Sequence, residues 1–113
     1  MSAASDLRRA IARRVADAHA PLGASLALVS GSVVEDLADA RSDVDMSVVF
    51  PTLPDEAALR AACPAPWIWQ MGAQDEGGLV VAFPVDGIEV QIAYSDEAAL
   101  ARELDEVLVA HNP

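Results

Sequence analysis

The sequence predicts a small mixed α/β domain of the α+β kind, with helices packed on one mixed β-sheet, and three observations predict it. Segments of helical period alternate with short apolar runs of strand character along 113 residues, a length for one domain rather than two. Proline, glycine and Asp-Gly punctuation separates the segments. No internal repeat and no low-complexity tract breaks the pattern.

Ser5 is a reasonable N-cap for a first helix, and Leu7, Ala10, Ile11, Val15 and Ala18 follow at helical spacing as its apolar stripe. Arg8, Arg9, Arg13 and Arg14 crowd its other faces and read as a solvated surface. Pro21 and Gly23 end this helix. Ser25 to Ser30 reads as a buried strand running into Gly31-Ser32, and Val33 to Asp39 as a short helix. Asp43 to Phe50 alternates as a second strand with Val44, Met46 and Val48 toward the core. Pro54 suits the first turn of a helix over Pro54 to Ala62, with Asp55 and Glu56 near its positive end. Trp67 to Met71 is a further strand, and both tryptophans read as packing residues. Leu79 to Phe83 and Ile88 to Tyr94 form a hairpin through Asp86-Gly87. Ser95 caps a last helix whose stripe is Leu100, Leu104, Val107 and Leu108.

Charge excludes several functions. Seven arginines, no lysine and 18 carboxylates give a net charge of −11, the wrong sign for general nucleic-acid binding through the phosphate backbone. The same charge suits divalent cations or a polycationic small molecule. One cysteine, Cys63, permits no internal disulfide, and with two histidines a Cys/His zinc site does not follow. Charged residues through the first 20 positions leave no signal-peptide core, and no segment has the apolar length of a membrane span. The expectation is a soluble cytoplasmic domain. His19 and His111, near helix ends, read as capping or exposed residues, and Arg60 as a solvated helix residue.

Three features carry chemistry. Gly31-Ser32 stands at a strand-to-helix turn, where glycine permits close backbone approach and the free N–H groups favour phosphate. Asp43 and Asp45, two apart on a strand, project to one face, where they repel unless a hard cation lies between them. Glu89 and Gln91 likewise share the face opposite Ile88, Val90 and Ile92. If the two strands are neighbours, Glu89 completes a cluster of three carboxylates beside a phosphate-binding turn.

Gly31-Ser32, ten residues, then Asp43-Val44-Asp45 within S-D-V-D-M-S-V-V-F resembles the signature of the nucleotidyltransferase superfamily, whose fold is shared with the DNA polymerase β palm. The stretch I-E-V-Q-I-A-Y-S-D-E resembles the aminoglycoside nucleotidyltransferases and the minimal nucleotidyltransferase domains, the latter in length as well. The resemblance implies the nucleotidyltransferase fold over residues 1–113, without the C-terminal helical domain of larger relatives. It implies Mg²⁺-dependent transfer of AMP from ATP to a hydroxyl of a small molecule or protein, with release of pyrophosphate. It places Gly31 and Ser32 on the triphosphate. Arg41, two residues before Asp43, is within reach of a triphosphate and equally placed to pair with Asp39 or Asp43. Asp43, Asp45 and Glu89 become the catalytic carboxylates and the ligands of two Mg²⁺ ions, with Gln91 as the alternative alignment for the third position. A homodimer or a helical protein partner is the expected assembly. Val33-Val34-Glu35-Asp36 departs from the small, basic, glycine pattern that follows G-S in many relatives. That departure motivates the alternatives: a catalytically degenerate binding module, or a remnant of a two-domain enzyme.

Overall fold

A computed structural model gives the fold and describes residues 3–30, 43–73 and 78–101. The elements are helix α1 (Ala3–His19), a 3₁₀ turn (Ala20–Leu22), strands β1 (Leu26–Ser30) and β2 (Val44–Phe50), helix α2 (Glu56–Ala62), and strands β3 (Trp69–Ala73), β4 (Gly78–Val85) and β5 (Ile88–Asp96). Residues 97–101 are helical. The mixed α+β class expected from the sequence is the one observed. Gly31, Ser32, the helix expected over Val33 to Asp39, Arg41, and the stripe residues Leu104, Val107 and Leu108 lie outside the described residues.

One five-stranded sheet, in the order β1-β2-β5-β4-β3, organises these elements. β2 and β5 pair in parallel, Val44 opposite Val90 and Met46 opposite Ile92. The β1–β2, β5–β4 and β4–β3 pairs are antiparallel. With a side-chain period of two, these registers gather Val44, Met46, Val48, Phe50, Val90, Ile92, Tyr94, Val81, Phe83 and Val85 on one face, where all are buried. Ile11 and Val15 of α1, with Leu59 of α2, complete that core. Each such side chain contributes about 1.5–3 kcal/mol by leaving water.

The hairpin between β4 and β5 is of the expected kind. Asp86 (φ 52°) and Gly87 (φ 79°) both take positive φ, as a two-residue turn of matching twist requires. Pro84 lies inside β4, yet β3 pairs only with Gly78–Ala82, so no strand stands where the missing N–H would donate.

Helix α1 is rotated from the stripe read off the sequence. It buries Arg8, Ile11, Ala12, Val15 and His19, while Leu7 is 45% exposed and Ala10 and Ala18 face solvent. The buried set has helical spacing too, but polar residues hold two of its positions. His19 has a bonding partner on each ring nitrogen. Nδ1–H donates to the Val15 carbonyl at 2.7 Å, so Nε2 accepts from the Tyr94 hydroxyl. The Cys63 thiol then donates to Tyr94 Oη (3.3 Å) and itself accepts from Trp67 Nε1–H (3.3 Å). His19 is therefore a buried, neutral, doubly bonded residue rather than a capping or exposed one.

Other boundaries shift for local reasons. Asp55 is the N-cap of α2, its Oδ1 accepting from Ala58 N at 2.9 Å, so the helix begins at Glu56 and Pro54 precedes the cap. Cys63, forced out of helical geometry by Pro64, ends it at ψ 140°. β3 starts at Trp69, leaving Trp67 outside the strand with the Arg60 guanidinium 4.1 Å from its ring centre. Arg60 also donates to Gln70 Oε1, so it is a packing residue of the helix end as well as an exposed one. Ser95 stays in β5, and Asp96 caps the helical residues after it, accepting from Ala99 N at 2.7 Å.

Removing the Tyr94 hydroxyl strands the buried His19 Nε2 acceptor. Tyr94→Phe is expected to cost about 1–3 kcal/mol, against about 1 kcal/mol for Asp55→Ala at the α2 cap, both read by urea unfolding. Burial holds the His19 pKa below the 6.5 of the free side chain. Its contribution is thus complete above 6.5 and falls away as pH drops through the lowered value. Between pH 7 and 5 the wild type should lose more stability than His19→Gln, in thermal melts of the two proteins.

Candidate functional site

The face of the sheet away from α1 carries the polar halves of the same alternation. Asp45 stands opposite Gln91 across the parallel β2–β5 pair. Glu89 lies two residues before Gln91 on that face, and Asp43 two residues before Asp45, at the start of β2. Neighbouring strands are about 4.8 Å apart, so the four side chains emerge as a compact row at the N-terminal ends of two parallel strands. Asp43 and Asp45 are exposed and Glu89 is half-buried.

The electrostatics of Asp43 reflect these neighbours. The Asp43 carboxyl is held above its ordinary range, first by local desolvation and then by the negative charges of Glu89 and Asp45. Arg8, reaching from the buried side of α1, pulls in the opposite direction. Solvation, expected of all four N-terminal arginines, does not extend to Arg8. Arg8, 3% exposed, is the exception, and its place three residues before Ile11 was the available signal.

Both candidates for the third position reach the row in different ways. Glu89 brings a negative charge to Asp43, whereas Gln91 faces Asp45 and donates from Nε2 to Glu89 Oε2 at 2.7 Å. The donor chemistry, three carboxylates under mutual repulsion, is that of a hard divalent cation such as Mg²⁺. As their side chains stand, however, no three His, Cys, Asp or Glu residues among the described ones form a group that could hold a metal ion. One oxygen of the Glu89 carboxylate accepts from Gln91 Nε2 on its own strand. Gly31, Ser32 and Arg41, the residues expected on the phosphates, lie outside the described residues. No helix among the described residues is long and apolar enough to cross a membrane.

Because the Asp43 pKa is raised in the folded chain, its proton is worth stability at low pH, and that stability is lost as pH rises through the raised value. Asp43→Asn should therefore stabilise the protein at pH 7 by a few tenths of a kcal/mol, or about 1–3 °C in Tm after allowance for solvent screening. The gain should vanish by about pH 3, where the wild-type carboxyl is itself protonated. Melts of both proteins across that range check the sign. No family model, no curated protein and no solved structure matches this chain.

Proposed function

We propose that this chain is a nucleotidyltransferase domain that moves a nucleoside monophosphate, AMP from ATP, onto an acceptor hydroxyl. The observation that carries the reading is the row of Asp43, Asp45 and Glu89 on adjacent parallel strands, close enough for the charges to act on one another. With it stands the motif G-S, ten residues, D-V-D, whose Gly31-Ser32 half is the expected phosphate site and whose Arg41 is within reach of it in sequence. Asp43, Asp45 and Glu89 are the residues that hold Mg²⁺ in this reading, two ions being the expected number. When bound, the metal supplies positive charge to the α-phosphate and the leaving pyrophosphate.

The chain's own part is to position and to take up a proton. In the transfer the acceptor O–H bond breaks, its oxygen bonds the α-phosphorus, and the bond from that phosphorus to the pyrophosphate oxygen breaks. A carboxylate of the row receives the proton. Gln91, bonded to Glu89, orients that carboxylate. The working place of such an enzyme is the cytoplasm, where ATP and Mg²⁺ are both present.

A second reading, a binding module of the same fold that performs no transfer, rests on the Gln91–Glu89 hydrogen bond, which occupies one carboxylate oxygen of the trio. Calorimetric titration of ATP with Mg²⁺ separates the two. The transfer reading expects binding that requires Mg²⁺ and weakens at least about tenfold, or about 1.4 kcal/mol, in Asp43→Asn, although that variant folds at least as well as wild type. Absence of Mg²⁺-dependent binding in a folded wild-type protein overturns the transfer reading and leaves the binding module.

A further inference from the structure

A cavity of about 420 Å³ lies between the C-terminal ends of α1 and α2, with Arg14, Asp17, Ala18 and Ala61 around it and Cys63 in its wall. Cys63 and Trp67 are half-buried, whereas Tyr94 and His19, joined to them by hydrogen bonds, are sealed at 2% and 0% exposed. A single file of hydrogen bonds therefore runs from this cavity into the core and stops at the Val15 carbonyl.

The ends of the file are chemically fixed and its middle is not. The Trp67 indole N–H can only donate and the Val15 carbonyl can only accept, but a thiol, a phenol and an imidazole nitrogen can each do either. With His19 neutral, one order satisfies every member: thiol to Tyr94 Oη, and Tyr94 O–H to His19 Nε2. A proton on Nε2 permits only the opposite order. Nε2–H then donates to Tyr94 Oη, and Tyr94 O–H to Cys63 Sγ. Sγ already accepts from Trp67, so the thiol hydrogen has no acceptor left in the file, and the cavity is the open direction for it. The balance is one proton in and one positive charge on the imidazole. Solvent protonates Sγ, the former thiol hydrogen passes to Oη, and the tyrosine hydrogen passes to Nε2.

The causes acting on the His19 pKa, burial and the Val15 carbonyl, include no charged side chain among the described residues. From β5 it meets the neutral Tyr94, with ring centres 5.4 Å apart. Arg14 and Asp17 of α1 stand at the cavity, and Arg60 of α2 acts on Cys63 at the outer end of the file.

We propose that the file is a pH-operated relay, in which protonation of His19 reverses the two bonds that join it to Cys63 and turns the thiol hydrogen into the cavity between α1 and α2. The relay stands apart from the transfer reading, since no carboxylate of the row takes part.

The chain has one cysteine, so its S–H stretch is a single infrared band whose frequency follows what the thiol donates to. That band and the imidazole nitrogen NMR signals of His19, told apart from those of His111 with His111→Gln, are followed in the full chain from about pH 7.5 down to about pH 4.5. Both are expected to move with one midpoint below 6.5 while near-ultraviolet circular dichroism stays native. Cys63→Ala leaves the Tyr94 hydrogen without an acceptor once His19 is charged, whereas the hydroxyl of Cys63→Ser accepts it. The His19 pKa should therefore lie about 0.5 or more lower in Cys63→Ala than in Cys63→Ser. A band that stays still while His19 titrates overturns the relay. So does a His19 that gains its proton only as the fold is lost, or one whose pKa is the same in both variants.

Discussion

The parallel pairing of β2 with β5 is the constraint on which the rest of the structure depends. One register, Val44 opposite Val90 and onward to Phe50 opposite Asp96, assigns every side chain of both strands to a face. A slip by one residue would drive Asp45 and Glu89 into the core and expose Val44, Met46, Val90 and Ile92. The apolar face holds that register, because those four valine, methionine and isoleucine side chains are fully withdrawn from water. The carboxylate row is thus held in place by the hydrophobic effect acting on the opposite side of the same two strands, against its own electrostatic repulsion.

Around that pair the molecule divides its polar groups into two regimes. On the near side, His19, Tyr94, Cys63 and Trp67 form a single hydrogen-bonded file in which each donor has one acceptor, and the file ends on the Val15 carbonyl. Burial lifts the Tyr94 hydroxyl and the Cys63 thiol above their ordinary pKa and lowers His19, so all three remain neutral in their places. On the far side, the carboxylates are exposed or half-buried and charged, with the guanidinium of Arg8 as their counterweight. Tyr94 is thus a hub of the near side while its neighbours Ala93 and Ser95 line a trough on the far side.

Strand alternation was legible in the sequence because it depends on nearest neighbours: V-D-M-S-V-V-F and I-E-V-Q-I each announce two faces without reference to the rest of the chain. The Asp86-Gly87 turn was legible for the same reason. The phase of α1 was not, since hydrophobicity alone prefers Leu7 to Arg8 and Ala18 to His19. The distant Tyr94 hydroxyl and the Asp43 carboxylate are what such a pattern does not contain. Helix starts were legible in kind but not in position: Asp55 is the α2 cap, which leaves Pro54 outside the first turn, and Asp96 displaced Ser95 as the later cap. At the candidate site the residues could be named from spacing, but the approach of Glu89 to Asp43 required the β2–β5 neighbourhood, which no local pattern encodes.

That neighbourhood also has a temporal consequence. β2 and β5 are joined only after α2, β3 and the β4–β5 hairpin have intervened in the chain, so their contact closes the longest loop between paired strands in the described fold. Loop closure is entropically costly and non-local pairing slows folding. Hairpin β4–β5 closes over two residues, whereas the meeting of Asp43 with Glu89 requires closure of that long loop. The pairing that brings the carboxylates together is the same one that packs Val44 and Met46 with Val90 and Ile92, so the repulsion and the burial that outweighs it set in at a single step.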